Sequence, residues 1–196
     1  MKPQLGDTIL NRYTLVSSLR EEPGIQAWKA NDRVLAKDCQ LFIITDRSAF
    51  AAIDKLAGRI AATRPDRVIP ILKYRMESDV LLIVMPVDSG QCLTDYMVDT
   101  AKPLSYSAIR SIIGECADVL REVIADTPSG IVITTDTVRV TTSGVQIADA
   151  PCATMLADTS ATDLRTDGPE RYAIRQLAAL PVSYTHLRAH ETSLHL

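Results

Sequence analysis

Two carboxylic acids, Asp136 and Asp149, are the residues whose type and setting best suit acid–base or metal chemistry. They lie in the stretch Gly130 to Pro151, GIVITTDTVRVTTSGVQIADAP. Between them Val138 and Val140, then Val145 and Ile147, are apolar at period two around Thr-Thr-Ser-Gly. This spacing predicts a short β-hairpin turned at Gly144. Asp149 follows, and Ala150-Pro151 is expected to stop the strand, because proline has no amide hydrogen to give. A carboxylate alone makes a poor magnesium site, since Mg²⁺ usually takes one or two carboxylates together with substrate oxygens. Cys39, Cys92, Cys116 and Cys152 are far apart and form no Cys-x-x-Cys pair. They read as reduced thiols, with a disulfide or metal site as the alternative.

The histidines, His186, His190 and His195, all fall near the C-terminal end. There the run from Val182 to Thr192, VSYTHLRAHET, resembles the translation of a common transposase-type sequencing adapter read in one frame. Residues 181–196 are therefore read as a non-native tail, and the natural sequence is expected to run to about Leu180. Residues 1–180 then contain no histidine, so imidazole catalysis and histidine metal ligation drop out together. The tail carries one Arg and one Glu, so its removal leaves the net charge of −3 unchanged.

Apolar residues at 46% and charged residues at 23% suit a globular domain with a real core. A net charge of −3 gives no electrostatic case for nucleic acid or for an anionic membrane surface. The longest apolar run, Val80 to Val84 with Met85, is far too short to span a bilayer. No signal peptide is evident, and the expected location is cytoplasmic.

The elements that must position these residues follow from periodicity. Arg12 to Val16 predicts a first strand and Cys39 to Thr45 a third, with a hairpin and second strand around Trp28 between them. Phe50, Ile53, Leu56, Ala57 and Ile60 mark one face of a helix over Arg47 to Ala62. Strands are predicted over Val68 to Tyr74 and Val80 to Met85. A long helix follows, N-capped by Ser105 and carrying Ile109, Ile112, Ile113, Cys116, Leu120, Val123 and Ile124 on one face. Thr127 to Gly130 is expected to end it. Cys152 to Asp167 reads as a polar loop, and Glu170 to Leu180 as the start of another helix. The fold class is α+β.

This order of elements resembles eukaryotic-type Ser/Thr protein kinases over about Tyr13 to Leu180. The phrases Met85-Pro-Val-Asp-Ser-Gly-Gln-Cys-Leu-Thr-Asp95-Tyr96 and Gly144-Val-Gln-Ile-Ala-Asp149 carry the likeness. It implies a kinase-like fold, with a lead-in over residues 1–12, a sheet-based N-lobe over 13–88 and an incomplete helical C-lobe over 89–180. A full kinase domain takes roughly 250 residues, so part of the C-lobe is expected to be missing. Leu19 to Ala30 is similar to the family's glycine-rich loop and second strand, but Arg20, Glu22 and Ile25 replace the glycines. Glu21 and Glu22 would repel a triphosphate, and Pro23 deletes an amide donor. Phe42 falls where the phosphate-pairing Lys belongs. Lys37 reads as a solvated lysine just before the strand, or as a surrogate. The helix glutamate falls at Ile53 or Asp54.

By the same resemblance Met85 is the gatekeeper. Pro86, Val87 and Asp88 complete the remnant of an adenine pocket. Ile133-Thr134-Thr135 stand in place of His-Arg-Asp, and Asp149, reached several residues early, takes the position of the magnesium-binding Asp. Asp136 is the one other acid that could replace the missing base. The implied function is a pseudokinase: a non-catalytic signalling or scaffold module with no cofactor expected and a protein partner. Similar bacterial proteins, in actinobacteria for example, serve envelope and cell-wall regulation. The alternative is a divergent ATP-binding Ser/Thr kinase with weak phosphotransfer, using Mg²⁺ at Asp149. A third reading is a fragment without independent function, with apolar surface exposed in its C-terminal half.

Overall fold

The computed structural model describes residues 3–77, 79–99, 104–126, 131–153, 171 and 173–181. The stretch 127–130, the polar segment 154–170 and the tail from 182 onward lie outside the described residues. The fold is α+β and divides into two compact units. Met1–Arg64 with Ile69–Asp88 form one; Pro65–Val68 with the chain from Ser89 onward form the other.

The first unit is a six-stranded antiparallel sheet with one long helix. Its strands are β1 (Thr8–Ile9), β2 (Tyr13–Glu22), β3 (Ile25–Asp32), β4 (Lys37–Ile44), β5 (Lys73–Met76) and β6 (Leu81–Pro86). They lie in the order β1-β2-β3-β4-β6-β5, and helix α1 (Phe50–Thr63) connects β4 to β5. β2 and β3 are joined by the tight turn Pro23-Gly24. Gly24 there takes a φ of +80°, and a Cβ on it would lie 2.7 Å from that of Asp46, so glycine is required on both counts. The next hairpin is pinned by Asp32, whose carboxylate accepts the amides of Val34 (3.0 Å) and Leu35 (3.3 Å) and both arms of Arg12 (2.8 and 2.6 Å).

β4 lies at the middle of the sheet, and every residue from Cys39 to Ile44 is buried, which is why it reads as an apolar run interrupted only by Gln40. On one face Tyr13, Leu15, Trp28, Ala30, Cys39, Leu41, Ile43, Leu82 and Val84 form a single cluster. The alternate residues, among them Phe42 and Ile44, occupy the other face. The α1 stripe of Phe50, Ile53, Leu56, Ala57 and Ile60 is buried as its spacing predicts.

Two boundaries differ from the sequence reading. The strand expected over Val68–Tyr74 begins only at Lys73, because Pro70 cannot donate to a ladder; Val68 instead forms an isolated parallel bridge with Ile147. β2 runs on to Glu22, well beyond Val16, since a β-bulge on either side of Ser17-Ser18 keeps its polar second half paired with β3.

The second unit holds β7 (Gln91–Cys92), α2 (Leu93–Asp99), α3 (Tyr106–Asp126), β8 (Val138–Thr141), β9 (Gly144–Ile147) and α4 (residues 173–181). Ser105 caps α3 as predicted, its hydroxyl accepting the Ala108 amide at 3.2 Å. Cys116, Val119, Leu120 and Val123 on α3 are buried, while Ile109, Ile112 and Ile113 are half-buried. The β8–β9 hairpin forms in the predicted register, with Val138 opposite Ile147 and Val140 opposite Val145. β9 ends at Ile147 rather than at Pro151, because Asp149 already turns the chain with a φ of +57°. Among the described residues no helix is long and apolar enough to cross a membrane.

Candidate functional site

In the first unit, sheet register fixes which of the predicted site residues share a face. Arg20 lies opposite Ala27, Ala27 opposite Phe42, and Phe42 opposite Ile83. These four form one row across the sheet, and Phe42 within it is 1% exposed. A lysine there would have to bury its ammonium group between Ala27 and Ile83, in a row whose one polar side chain, Arg20, is itself a cation. One step along β4 on the same face is Gln40, opposite Met85. Both are buried, and Gln40 Nε2 donates to Asp88 Oδ1 at 2.8 Å. Of the four residues assigned to a pocket remnant, Met85 is therefore sheet core and Asp88 is a hydrogen-bond acceptor, while Pro86 is half-buried and Val87 exposed.

Lys37 is the first residue of β4, exposed and opposite Asp32, so it lies within the strand rather than on the turn before it. The strand extends that far because β3 continues to Asp32 and supplies ladder partners. Ile53 is buried, and Asp54 has no ion-pair partner among the described residues. Glu21 accepts from Gln26 across the hairpin at 3.5 Å, and in the Pro23-Gly24 turn beside it the Gly24 carbonyl accepts the amides of Thr45 and Asp46.

In the second unit, residues 131–137 form a loop closed on itself. Ile131, Val132 and Ile133 are buried. Gln176 on α4 clamps them, its Oε1 accepting the Ile133 amide and its Nε2 donating to the Ile131 carbonyl. The Thr137 hydroxyl donates to the Val132 carbonyl at 3.1 Å and accepts the Thr134 amide at 2.8 Å. Asp136 is exposed at the turn; its carboxylate accepts the Thr94 hydroxyl at 2.8 Å, and its carbonyl accepts Arg139 Nη1 at 2.6 Å. Thr94 belongs to the first turn of α2, so Asp136 tethers that helix to the loop. Asp149 is only 7% exposed, and its carbonyl accepts the Cys152 amide at 2.8 Å. The two acids thus sit in unlike surroundings, one at the surface and one in the interior.

The buried cysteines, Cys39, Cys116 and Cys152, offer no nucleophile. Burial pushes the thiol of Cys39 up to about 11 and that of Cys116 to about 12. For Cys152 burial, with the Asp149 charge second, raises it well above the usual range. Protonated, enclosed thiols of this kind are inert. Among the described residues no group of three or more His, Cys, Asp or Glu side chains gathers into a metal site. Residue by residue, the set is a poor fit to Mg²⁺ with a triphosphate. It pairs an apolar Phe42 with a proline in the turn and a single interior carboxylate at Asp149.

Sequence reasoning missed Gln40, Thr137 and Gln176. Gln40 had a signal: a polar residue inside the apolar run Cys39–Ile44 must find a partner if that strand is buried. Gln176 and Thr137 had none, since their partners are main-chain groups distant in sequence or hidden in a turn. Neither the known family models nor the curated proteins include a match to this chain.

Proposed function

We propose that this chain is a kinase-like module that does not transfer phosphate and acts by binding a protein partner: a pseudokinase in a signalling or scaffold role. The observation that carries the reading is Phe42, fully buried in the row Arg20–Ala27–Phe42–Ile83. An active relative needs a lysine at this position to reach phosphate oxygens. The order of four strands, a helix, two strands, a short strand and helix, a long helix and a hairpin just before Asp149 supports the kinase-like part. The self-closed loop at residues 131–137 supports the non-catalytic part, since Thr134 and Thr137 are committed to each other and Asp136 to Thr94. A cytoplasmic module serving bacterial envelope regulation is the setting the likeness implies.

The test is phosphotransfer from Mg·ATP or Mn·ATP to generic protein substrates, alongside direct nucleotide binding. Turnover is expected to stay far below the ~1–100 per second of working kinases. Steady turnover abolished by Asp149→Asn would overturn the proposal in favour of a divergent kinase.

A further inference from the structure

The hairpin joining β3 to β4 ends in a turn whose residues, Arg33 to Lys37, are all exposed. Val34 and Leu35 stand at its tip, 71% and 58% exposed. In the neighbouring turn Leu10 packs back against the core cluster of the sheet, whereas Val34 and Leu35 are left in water. The tip is held from beneath by its own main chain. The Arg33 amide donates to the Arg12 carbonyl at 3.0 Å, and the amides of Val34 and Leu35 donate to Asp32 Oδ1. Three consecutive amides are thus satisfied from within, so they lose little on leaving water.

Charge at this end of the sheet has a definite sign. Asp32 is engaged by Arg12, Asp38 by Lys29 at 2.9 Å, and Asp88 by Gln40. Arg33 and Lys37 have no ion-pair partner among the described residues. They bracket the apolar pair: Arg33 directly precedes it, and Lys37 lies at the base of the turn opposite Asp32. The result is an apolar point with an unpaired cation on either stem.

We propose that this tip docks on an anionic lipid surface, with Val34 and Leu35 at the acyl boundary and Arg33 and Lys37 among the headgroup phosphates. Two features favour a bilayer over a protein groove. The order of depth, apolar at the point and cationic one step back on both stems, matches the layering of a membrane interface. A five-residue convex turn also falls far short of the ~800 Å² a side that a stable protein interface buries, whereas a bilayer accepts a small wedge. The net charge of −3 belongs to the whole chain, and salt screens its repulsion beyond about 10 Å, so the tip acts locally. With two apolar side chains and two cations, the association is weak and reversible. The proposal is independent of the kinase-like reading.

The test is co-sedimentation of the full chain with vesicles of phosphatidylcholine alone, or with an equal share of phosphatidylglycerol, titrated to high lipid concentration. Binding is expected on the anionic vesicles only and should weaken as salt is raised. Arg33→Gln and Lys37→Gln should each weaken it roughly fivefold. Replacing Val34 and Leu35 together by serine should weaken it further without changing the salt dependence. In Leu35→Trp the added indole should shift its emission to the blue on anionic vesicles, a readout of insertion separate from the affinity. All four positions are exposed, and unchanged thermal midpoints would verify folding. No association at any lipid concentration overturns the proposal and leaves a protein groove as the occupant of the tip. Binding indifferent to all of these substitutions, or equal on neutral vesicles, also overturns it.

Discussion

Gln40 Nε2 and Asp88 Oδ1 are joined by a 2.8 Å hydrogen bond that ties the middle of β4 to the chain just beyond β6. Gln40 is 7% exposed, so its amide has been withdrawn from water and is satisfied by a residue 48 positions away in sequence. Replacing it by methionine, which keeps the volume and removes the donor, should cost about 1 kcal/mol in chemical denaturation. The loss is modest because Asp88 is only half-buried and can take water in exchange. A cost near zero would mean that the pair contributes nothing to the fold.

Phe42 is a packing residue at the centre of the sheet. At 1% exposure, Phe42→Ala should cost about 3–5 kcal/mol through lost burial and the cavity left behind. Phe42→Lys should be worse still, since the ammonium would have no acceptor in that row and burial of an unpaired charge is strongly unfavourable. Equilibrium denaturation of both variants checks this. A Phe42→Lys protein as stable as the wild type would show the position opening to solvent.

Arg12 and Asp32 predict a pH dependence with a definite sign. The hydrogen bonds from Arg12 hold the Asp32 carboxyl down at about 2, below the 3.8 of a free aspartate. A group whose folded value is depressed contributes stability above its unfolded value and loses it as pH falls through the folded one. Wild type should therefore exceed Asp32→Asn in denaturation midpoint from neutral pH down to about 4, and the two should converge as pH approaches about 2. A constant gap across that window would assign the role of Asp32 to shape rather than charge.

The parts of this fold that the chain advertises are those set by periodicity. The α1 stripe at Phe50, Ile53, Leu56, Ala57 and Ile60, the alternation at Val138, Val140, Val145 and Ile147, and the Ser105 cap were all readable because local spacing determines them. The beginning of β5 was not, since the apolar Val68–Ile71 run looks like a strand until Pro70 is weighed against it. The candidate site was legible mainly as substitutions. Phe42 and Asp149 could be singled out by position, but the contacts that hold the loop at 131–137 could not. Gln176 reaching Ile131 and Ile133, and Thr94 reaching Asp136, are contacts across long sequence separations between residues of ordinary type.

Thr137 should be the most sensitive polar residue of the loop at 131–137. It is 1% exposed and bridges the Val132 carbonyl and the Thr134 amide. Thr137→Val preserves shape and leaves both groups without this partner, at an expected cost of about 1–3 kcal/mol. Thr137→Ser, which keeps the hydroxyl, should cost less. Faster amide exchange at Thr134 in the valine variant alone would show that the hydroxyl, not the methyl group, holds the loop. Equal exchange in both would refute that assignment.

Glu115 and Gly144 are coupled by space as well as by hydrogen bonding. Glu115 Oε2 accepts Arg67 Nη1 at 2.5 Å and the Val145 amide at 2.9 Å, and its Oε1 accepts the Ser111 hydroxyl at 3.2 Å. Burial pushes this carboxyl up, but the Val145 amide, Arg67 and Ser111 outweigh it and hold it below its usual range. Its stabilising contribution is therefore present at neutral pH and lost as pH falls through its lowered folded value, below the usual glutamate range. A Cβ at Gly144 would lie 2.3 Å from Glu115 Oε2, and the φ of +117° there is one that L-residues rarely adopt. Gly144→Ala should cost about 1–3 kcal/mol through the backbone alone. It should cost more because Glu115 must also leave the Val145 amide. The two contributions separate in a double-mutant cycle: in a Glu115→Ala background the steric part disappears and only the backbone part remains. Strictly additive losses would mean that the carboxylate moves aside freely, and that the hairpin tip does not depend on α3 for its position.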